Sequence, residues 1–259
     1  MSGIYIHIPF CKKACHYCNF HFSTNQNSKS AFIKAVGKEL VLRKAEYETL
    51  EIQSIYFGGG TPTVLEVSEL NTILQLVYQH YNVSDTPEIT LEANPDDLDL
   101  EKIQALSDTK INRLSIGIQS FHESDLLAMN RAHNADEAKK CLEIATTYFD
   151  NITIDLMYGI PTMTVELWRQ NLQTAFSFGI KHLSCYALTV EPKTALEHFI
   201  NKGSHPPMDD ELSAQHFEAL LDETTSQGLI HYETCSFGYS DYFSRHNTNY
   251  WLGKPYMGV

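Results

Sequence analysis

Short runs of β-branched and apolar residues alternate along the chain with longer segments in which apolar residues recur every three or four positions. The first such run is "GIYIHI" at 3–8, and the sixth is "HLSCYAL" at 182–188. Short apolar runs are typical of buried strands, and the longer period is typical of amphipathic helices. Strands that are joined by helical crossovers pair in parallel. The pattern therefore predicts six β/α units before Pro192 and an α/β fold.

Polar and glycine-rich residues follow each predicted strand, which favours a barrel over a doubly wound sheet. In a β/α barrel the active site collects at the carboxyl ends of several strands, whereas a doubly wound sheet gathers its chemistry at one switch point. We therefore expect a partial (β/α)6 barrel with parallel strands. The segments that follow the six strands are, in order, a cysteine-rich loop, "GGGTPT", "LEANPDD", "GIQSF", "DLMYGIP" and "YALTVEP".

The alternation weakens after Pro192, which divides the chain into two predicted regions. Residues 1–192 are expected to form the barrel, and residues 193–259 an accessory region with a helix in "ELSAQHFEALLDETTSQG" and a strand in "LIHYETCSF". The chain reaches Val259 without a polar tail or a helix cap. We therefore expect the accessory region to continue beyond this residue in the natural protein.

Charge and composition exclude several classes of partner. The chain of 259 residues carries 32 acidic and 19 basic side chains, a formal net charge of −13. This balance argues against broad nucleic-acid binding and against adhesion to anionic membranes, since both need basic patches. The N-terminal segment lacks a positively charged start, and no apolar run has the length of a membrane span. The predicted location is the cytoplasm, where thiols stay reduced.

Three of the six cysteines lie within "PFCKKACHYCNFHF", at positions 11, 15 and 18. In a reducing compartment such a cluster is more typical of a metal site than of disulfides. Three thiolates can hold a [4Fe–4S] cluster and leave one iron open, and Phe20 cannot supply a fourth thiolate. Zinc with His16 or His21 as a fourth ligand is an alternative, although structural zinc usually pairs two cysteine knuckles. Three unrelated thiols remain a further alternative.

The cysteine spacing after a first strand, followed by "GGGTP", resembles the radical S-adenosylmethionine (SAM) superfamily. The motifs "IYIHIPFCKKACHYCNF", "YFGGGTPT", "LEANPDD", "LSIGIQSF", "MNRAHN" and "IDLMYGIP" together resemble the oxygen-independent coproporphyrinogen III oxidase family. Within that family the chain is similar to the haem chaperone (HemW-type) branch. Phe20 stands where the oxidase has a further cysteine, only ten residues precede Cys11, and "RHNTNYW" matches the H-N-x-x-Y-W motif of the chaperones.

The resemblance implies a [4Fe–4S] cluster on Cys11, Cys15 and Cys18, with the methionine moiety of SAM on the open iron. The glycine loop is expected to meet the methionine amino group, with Glu92 as the partner of that ammonium. Arg131 is expected to pair with the methionine carboxylate, a task that suits the guanidinium fork. The other SAM contacts that we expect come from Tyr5, Tyr17, Gly58, Gly59, Gly60, Thr61, Gln119, Asp155, Met157 and Ala187, with Gln119 and Asp155 on the ribose hydroxyls and Tyr17, Met157 and Ala187 around the adenosyl group.

The same resemblance implies haem as cargo. A neutral His246 imidazole can ligate haem iron, and the adjacent Tyr250 and Trp251 rings can cover a porphyrin face. The alternative is that this loop is structural and packs its aromatic rings under the barrel. The expected partners are haem or a porphyrin, haem-accepting proteins and a low-potential electron donor.

Three functions remain open from the sequence besides a zinc-binding module. The first is a haem chaperone that keeps a radical-type cluster and a SAM site. The second is oxidative decarboxylation of coproporphyrinogen III, and the third is radical chemistry on another substrate. The remaining cysteines, at positions 141, 185 and 235, are predicted to be buried structural thiols.

Overall fold

The structure is a computed structural model and describes residues 2–259. Its central feature is a run of six parallel strands that pair with one another in chain order. This order confirms the predicted partial barrel, since a doubly wound sheet would reverse its strand order part-way. The six strands are β1 (Ser2–Ile8), β2 (Glu51–Gly59), β3 (Asn82–Ala93), β4 (Arg113–Gln119), β5 (Ile152–Tyr158) and β6 (His182–Ala187).

Strands from the C-terminal region extend this sheet at both edges. Strand β9 (Tyr256–Gly258) pairs in parallel with β1, and β8 (Ser236–Gly238) pairs antiparallel with β6. Strand β7 (Ile230–His231) pairs with β8, so the order is β7-β8-β6-β5-β4-β3-β2-β1-β9. The sheet stays open between β7 and β9. The domain boundary at 192 stays a prediction, and Met1 lies outside the described residues.

Helices connect successive strands, as the 3.6-residue pattern predicts. Several begin at a side chain that caps the free amides of the first turn, as Asn134 does for the Glu137 amide and Thr164 for the Leu167 amide. The helices are α1 (Lys29–Arg43), α2 (Val67–His80), α3 (Leu100–Ser107), α4 (Glu123–Ala128), α5 (Ala135–Tyr148), α6 (Val165–Ser177), α7 (Ala195–Asn201), α8 (Asp210–Ser226) and α9 (Arg245–Trp251).

The two faces of the sheet differ in chemistry. Alternate residues of each strand, such as Ile4, Ile6 and Ile8 in β1, are fully buried in an apolar core under the helices. The residues between them face the inside of the barrel and are mostly polar or charged. This inner layer includes Tyr5, Ser54, Tyr56, Glu88, Thr90, Glu92, Arg113, Ser115, Thr153, Asp155, His182 and Ser184.

The C-terminal region differs most from the sequence prediction. The segment "LIHYETCSF" forms two short strands joined by a bend rather than one strand, while "RHNTNYW" forms helix α9 and "YMG" forms β9. Cys141 and Cys185 are buried, as predicted, whereas Cys235 lies in the bend and is half-buried. In the part of the chain that the structure describes, every helix is too short or too polar to cross a bilayer.

Candidate functional site

A cavity of about 430 Å³ lies at the carboxyl ends of the parallel strands. This is the edge at which the sequence places its unusual loops. Most of the predicted site residues line it, which brings together side chains from positions as distant as 11 and 187. The predicted residues on its wall are Cys11, Cys15, Tyr17, Cys18, Gly59, Gly60, Thr61, Glu92, Gln119, Arg131, Asp155, Met157 and Ala187.

Backbone hydrogen bonds fix the cysteine loop over this cavity. The Cys11 amide donates to Ser23 O at 3.0 Å, and the His16 amide donates to Met129 O at 3.1 Å. His16 O in turn accepts from the Leu196 amide at 2.8 Å. The loop is therefore tied to its own return segment, to the end of α4 and to α7. This anchoring holds the three thiols on one wall of the cavity.

Each of the three thiols is half-buried and reaches the same cavity. Burial raises the pKa of Cys11 and of Cys18, and a hydrogen bond from Thr61 to Cys11 partly offsets the rise. Metal binding must displace these protons, since the thiolate is the ligand. Among residues 2–259, no group of three or more His, Cys, Asp or Glu side chains is arranged around a single metal ion. His16, the alternative zinc ligand, already has a hydrogen-bond partner at one ring nitrogen, because its Nδ1 lies 3.0 Å from Ala128 O.

The glycine loop after β2 approaches neighbouring chain segments too closely for a side chain. Gly59 has φ +110°, and a Cβ there would lie 2.5 Å from the His7 ring. Only glycine adopts this conformation without strain. The loop thereby presents the Gly59 amide to Glu92 Oε2 at 3.1 Å.

Arg131 reaches the cavity from the loop after α4. Its Nη2 donates to Asn94 Oδ1 and to Gly117 O, both at 2.7 Å, while its Nη1 lies 3.3 Å from Cys15 Sγ. Its Nε is buried and has no hydrogen-bond partner in the described chain. A guanidinium whose partners are an amide, a carbonyl, a thiol and the Tyr17 hydroxyl still has the capacity to pair with an anion. Position and chemistry thus fit a ligand carboxylate beside the cysteines.

Two carboxylates, Glu92 and Asp155, lie on the cavity wall. Burial raises the pKa of Glu92 to about 7, against the lowering effect of hydrogen bonds from Tyr56 and the Gly59 amide. Burial also raises the pKa of Asp155 to about 6, and Ser184 together with two arginines pulls it down. Such groups are costly to ionise without a cationic or hydrogen-bonding partner. The cavity is therefore ready to receive a cation and hydroxyl donors.

Gln119 ends β4 in a strained conformation. Its φ is +67°, in the left-handed region that side chains other than glycine rarely adopt. The residue is 7% exposed, and its Oε1 has no hydrogen-bond partner in the described chain. An unsatisfied buried acceptor on a cavity wall suits a ligand hydroxyl, since strain of this kind clusters at binding sites.

Several cavity residues were not singled out from the sequence. Asn94 joins the arginine to the glycine loop, because its Nδ2 also donates to Thr61 Oγ1 at 3.1 Å. Its place in "LEANPDD", directly after a strand, was the signal that could have identified it. The other such residues are Lys13, Asn19, Phe22, Ala93, Ser115, Gly117, Tyr186, Leu188, Thr189 and Glu191. Phe20, discussed above as a non-ligand, is 69% exposed at the cavity mouth.

Five predicted site residues are absent from the cavity wall. Tyr5 and Gly58 lie one layer below it, where the Tyr5 hydroxyl lies 3.1 Å from His7 Nδ1. His246 enters the barrel from the opposite end, and burial lowers its pKa to about 4. Tyr250 and Trp251, on the same helix, are 55% and 61% exposed. The imidazole is therefore largely buried in the barrel, whereas the two rings face outward from it.

A comparison with protein-family models matches residues 5–175 to the radical SAM superfamily. Across the whole chain, the sequence is 34% identical to the haem chaperone HemW of Bacillus subtilis and covers 69% of that protein. The chain belongs to the radical SAM superfamily, in its HemW-type family. This confirms the resemblance that the motifs indicate.

Further HemW-type relatives agree with this placement. The chain is 33% identical to HemW of Escherichia coli, of which it covers 68%, with 99% of the chain aligned. It is 32% identical, over its full length, to the mitochondrial radical S-adenosyl methionine domain-containing protein 1 of Mus musculus and covers 59% of it. The chain thus spans about two thirds or less of these relatives.

Among solved structures, the fold matches coproporphyrinogen III oxidase (HemN) from Escherichia coli, with a TM-score of 0.85 at 22% identity. The match covers all of the chain and 63% of that protein. At this identity the likeness establishes the shared radical SAM fold. The open sheet of parallel strands, which does not close into a complete barrel, agrees with this shared fold.

Membership in the radical SAM superfamily implies a [4Fe–4S] cluster and SAM, and the cavity fits both. Three thiols, a guanidinium and two carboxylates that form no salt bridge within the described chain line this one cavity. When bound, such a cluster would supply a low-potential electron beside the SAM site. The chain itself supplies the thiolates, the charges that hold the methionine moiety and acceptors for hydroxyl groups.

Proposed function

We propose that the protein is a haem chaperone that binds a [4Fe–4S] cluster on Cys11, Cys15 and Cys18, and SAM in the adjoining cavity. The observation that carries the proposal is 34% identity, over the full chain, to a protein named heme chaperone HemW. Phe20, two positions after Cys18, supports it, since the side chain cannot ligate iron. The SAM contacts proposed are those of the predicted residues that line the cavity.

Within this proposal, each wall of the cavity has a role in holding SAM. Glu92 and the glycine loop receive the methionine amino group, and Arg131 receives the carboxylate. Asp155 and Gln119 accept from the ribose hydroxyls, while Tyr17, Met157 and Ala187 lie around the adenosyl group. Three observations support this assignment. Burial raises the pKa of Glu92, and within the described chain neither Gln119 Oε1 nor Arg131 Nε has a hydrogen-bond partner.

Haem is the proposed cargo, to be passed to haem-accepting proteins in the cytoplasm, with a low-potential donor that reduces the cluster. Tyr250 and Trp251 offer exposed aromatic faces to a porphyrin. His246 as the iron ligand requires its imidazole to leave the inside of the barrel, where the ring is buried and Nδ1 lies 3.0 Å from Ser54 Oγ.

The proposal is tested with the complete natural protein, reconstituted without oxygen. Haem titration followed by absorbance should give saturable binding, and incubation with coproporphyrinogen III, SAM and a low-potential reductant should give no protoporphyrinogen IX. The Phe20→Cys variant should also remain without decarboxylase activity, because one thiol does not rebuild an oxidase. Efficient turnover of coproporphyrinogen III by the unmodified protein would instead identify an oxidase.

A further inference from the structure

Helix α9 is fixed against the middle of β3, on the side of the barrel away from the cavity. The Glu88 carboxylate accepts from the Arg245 amide at 2.9 Å and from the His246 amide at 3.0 Å. These first-turn amides have no partner within the helix, and a carboxylate at this position also suits the helix dipole. The Arg245 side chain donates to Thr86 O at 2.7 Å. The helix start is thus held by both backbone and side chain.

From this start the His246 side chain enters the inside of the barrel. Its ring centroid lies 5.0 Å from that of Tyr56, at an angle of 33° between the planes. Gly3 leaves room for it, since a Cβ there would lie 3.1 Å from His246 Nδ1 and 2.8 Å from Ser54 Oγ. The imidazole therefore forms the floor on which the Tyr56 ring rests.

Tyr56 connects this floor to the cavity. It is 9% exposed, and its hydroxyl donates to Glu92 Oε1 at 2.8 Å. The other oxygen of Glu92 accepts from the Gly59 amide. Within residues 2–259, each carboxylate oxygen therefore has one fixed donor, and the Tyr56 hydroxyl is the donor from below. Without the Tyr56 hydroxyl, the Glu92 carboxylate is free to rotate. Without the His246 ring beneath it, the Tyr56 side chain is free to move.

We propose that Tyr56 is a positioning residue for Glu92 and that His246 acts through Tyr56, so that helix α9 sets the carboxylate that receives the amino group of SAM. The inference rests on the SAM site of the proposed function. It gives His246 a role that depends on its ring shape rather than on iron ligation. Packed side chains of this kind carry coupling between sites when one element holds another in place.

The test measures the dissociation constant of SAM by anaerobic equilibrium dialysis on the full chain with its cluster reconstituted. Tyr56→Phe keeps the ring and removes the hydroxyl, so affinity should fall roughly ten-fold, as for a lost hydrogen bond to a charged group. His246→Ala should lower the affinity for SAM by a similar factor. His246→Phe should restore affinity to within about two-fold of the unmodified protein, since an aromatic ring again fills the floor.

Tyr81→Phe is the matched control. It also removes a buried tyrosine hydroxyl, which donates to Leu40 O at 2.6 Å in the core outside the barrel. It should cost stability in urea unfolding without changing SAM affinity. The electron paramagnetic resonance spectrum of the cluster with saturating SAM should be the same in every variant, which shows that the cluster itself is intact.

A double-mutant cycle tests whether the two residues act in series. If His246 acts through the Tyr56 hydroxyl, then His246→Ala should lower SAM affinity much less in the Tyr56→Phe background than in the unmodified protein. Full additivity of the two losses, or unchanged affinity in Tyr56→Phe, would overturn the inference and leave the proposed function intact. No SAM binding by the unmodified protein would instead overturn the proposed function together with this inference.

Discussion

Arg131 reaches the cavity with its two terminal nitrogens already directed. Nη2 is held by Asn94 and Gly117, while Nη1 lies beside Cys15 and Tyr17. Arg131→Lys replaces this planar fork with a single ammonium that cannot make both sets of contacts. We expect SAM affinity to fall roughly ten-fold or more, as for a lost arm of a charge-assisted pair. Equilibrium dialysis measures this change.

Arg169→Lys is a suitable control for this substitution. Arg169 donates to Glu223 on the protein surface at 2.7 Å, away from the cavity. SAM affinity in this variant should equal that of the unmodified protein. If Arg131→Lys also binds SAM normally, Arg131 does not hold the methionine carboxylate.

The cysteines differ in their surroundings, which gives a second prediction. Anaerobically reconstituted protein should hold about four irons and four sulfides per chain. Replacing Cys11, Cys15 or Cys18 with Ala should abolish this content, whereas Cys141→Ala should keep it, because Cys141 is buried within α5. Iron and sulfide analysis decides the matter. Stoichiometric zinc without sulfide, in protein purified without oxygen, would contradict the cluster.

The raised pKa of Glu92 predicts how SAM affinity varies with pH. With its pKa near 7 in the ligand-free protein, the carboxylate must lose a proton before it can pair with the SAM ammonium. Affinity should therefore rise between about pH 6 and 8, and should fall above about pH 8 as an α-amino group loses its proton. Glu92→Gln should bind weakly and lose the rising limb. Affinity that does not change across this range in the unmodified protein would exclude the role of Glu92.

Among the elements, the three-residue strand β9 contributes to stability mainly through one buried side chain. Met257 in β9 is fully buried, and the Tyr81 hydroxyl lies 3.7 Å from its sulfur. Met257→Ala should lower the free energy of unfolding by about 2–5 kcal/mol, through lost burial and the resulting cavity. Tyr256→Ala, at a 46% exposed position in the same strand, should cost no more than about 1.5 kcal/mol. Urea unfolding compares the two, and equal losses would mean that β9 does not pack as described.

Helix α9 and strand β9 also show why short elements escape sequence analysis. Neither "RHNTNYW" nor "YMG" has a hydrophobic period long enough to predict a helix or a strand. Helix α9 forms because Ser244 caps it and Glu88, far away in the chain, accepts its first amides. Strand β9 forms because β1 offers an unpaired edge. Both depend on contacts between distant segments.

For the molecule as a whole, the polar inner layer of the barrel predicts a pH dependence of stability. The pKa values of Glu92 and Asp155 are raised by burial, to about 7 and about 6, in the folded protein. Carboxyl groups with a raised folded pKa contribute stability at low pH and lose it as pH rises through that pKa. Ligand-free protein should therefore lose this contribution between about pH 4 and 7.

The double variant Glu92→Gln/Asp155→Asn isolates this contribution. Its free energy of unfolding, relative to that of the unmodified protein, should increase by about 1–3 kcal/mol from pH 4.5 to pH 7.5. Asp150→Asn gives the opposite sign, because the hydrogen bond from Lys181 lowers the pKa of this surface carboxyl. A difference that does not vary with pH in the double variant would mean that these carboxyl groups titrate as they do in the unfolded chain.

The hydrophobic pattern predicted the parallel sheet and the partial barrel, and the motif resemblance implied 13 of the 25 residues that line the cavity. Hydrophobic periodicity is a local property, and parallel strands bring their carboxyl ends to one edge, so residues after each strand meet. The cysteine spacing and the glycine loop are also local, which is why Cys11, Gly59 and their neighbours were predicted. The tertiary structure alone decided which side chains bond to Arg131, that Asn94 joins it to the glycine loop, and that His246 packs under Tyr56. These contacts depend on distances between residues that are far apart in the chain, and such distances are fixed only when the barrel is packed.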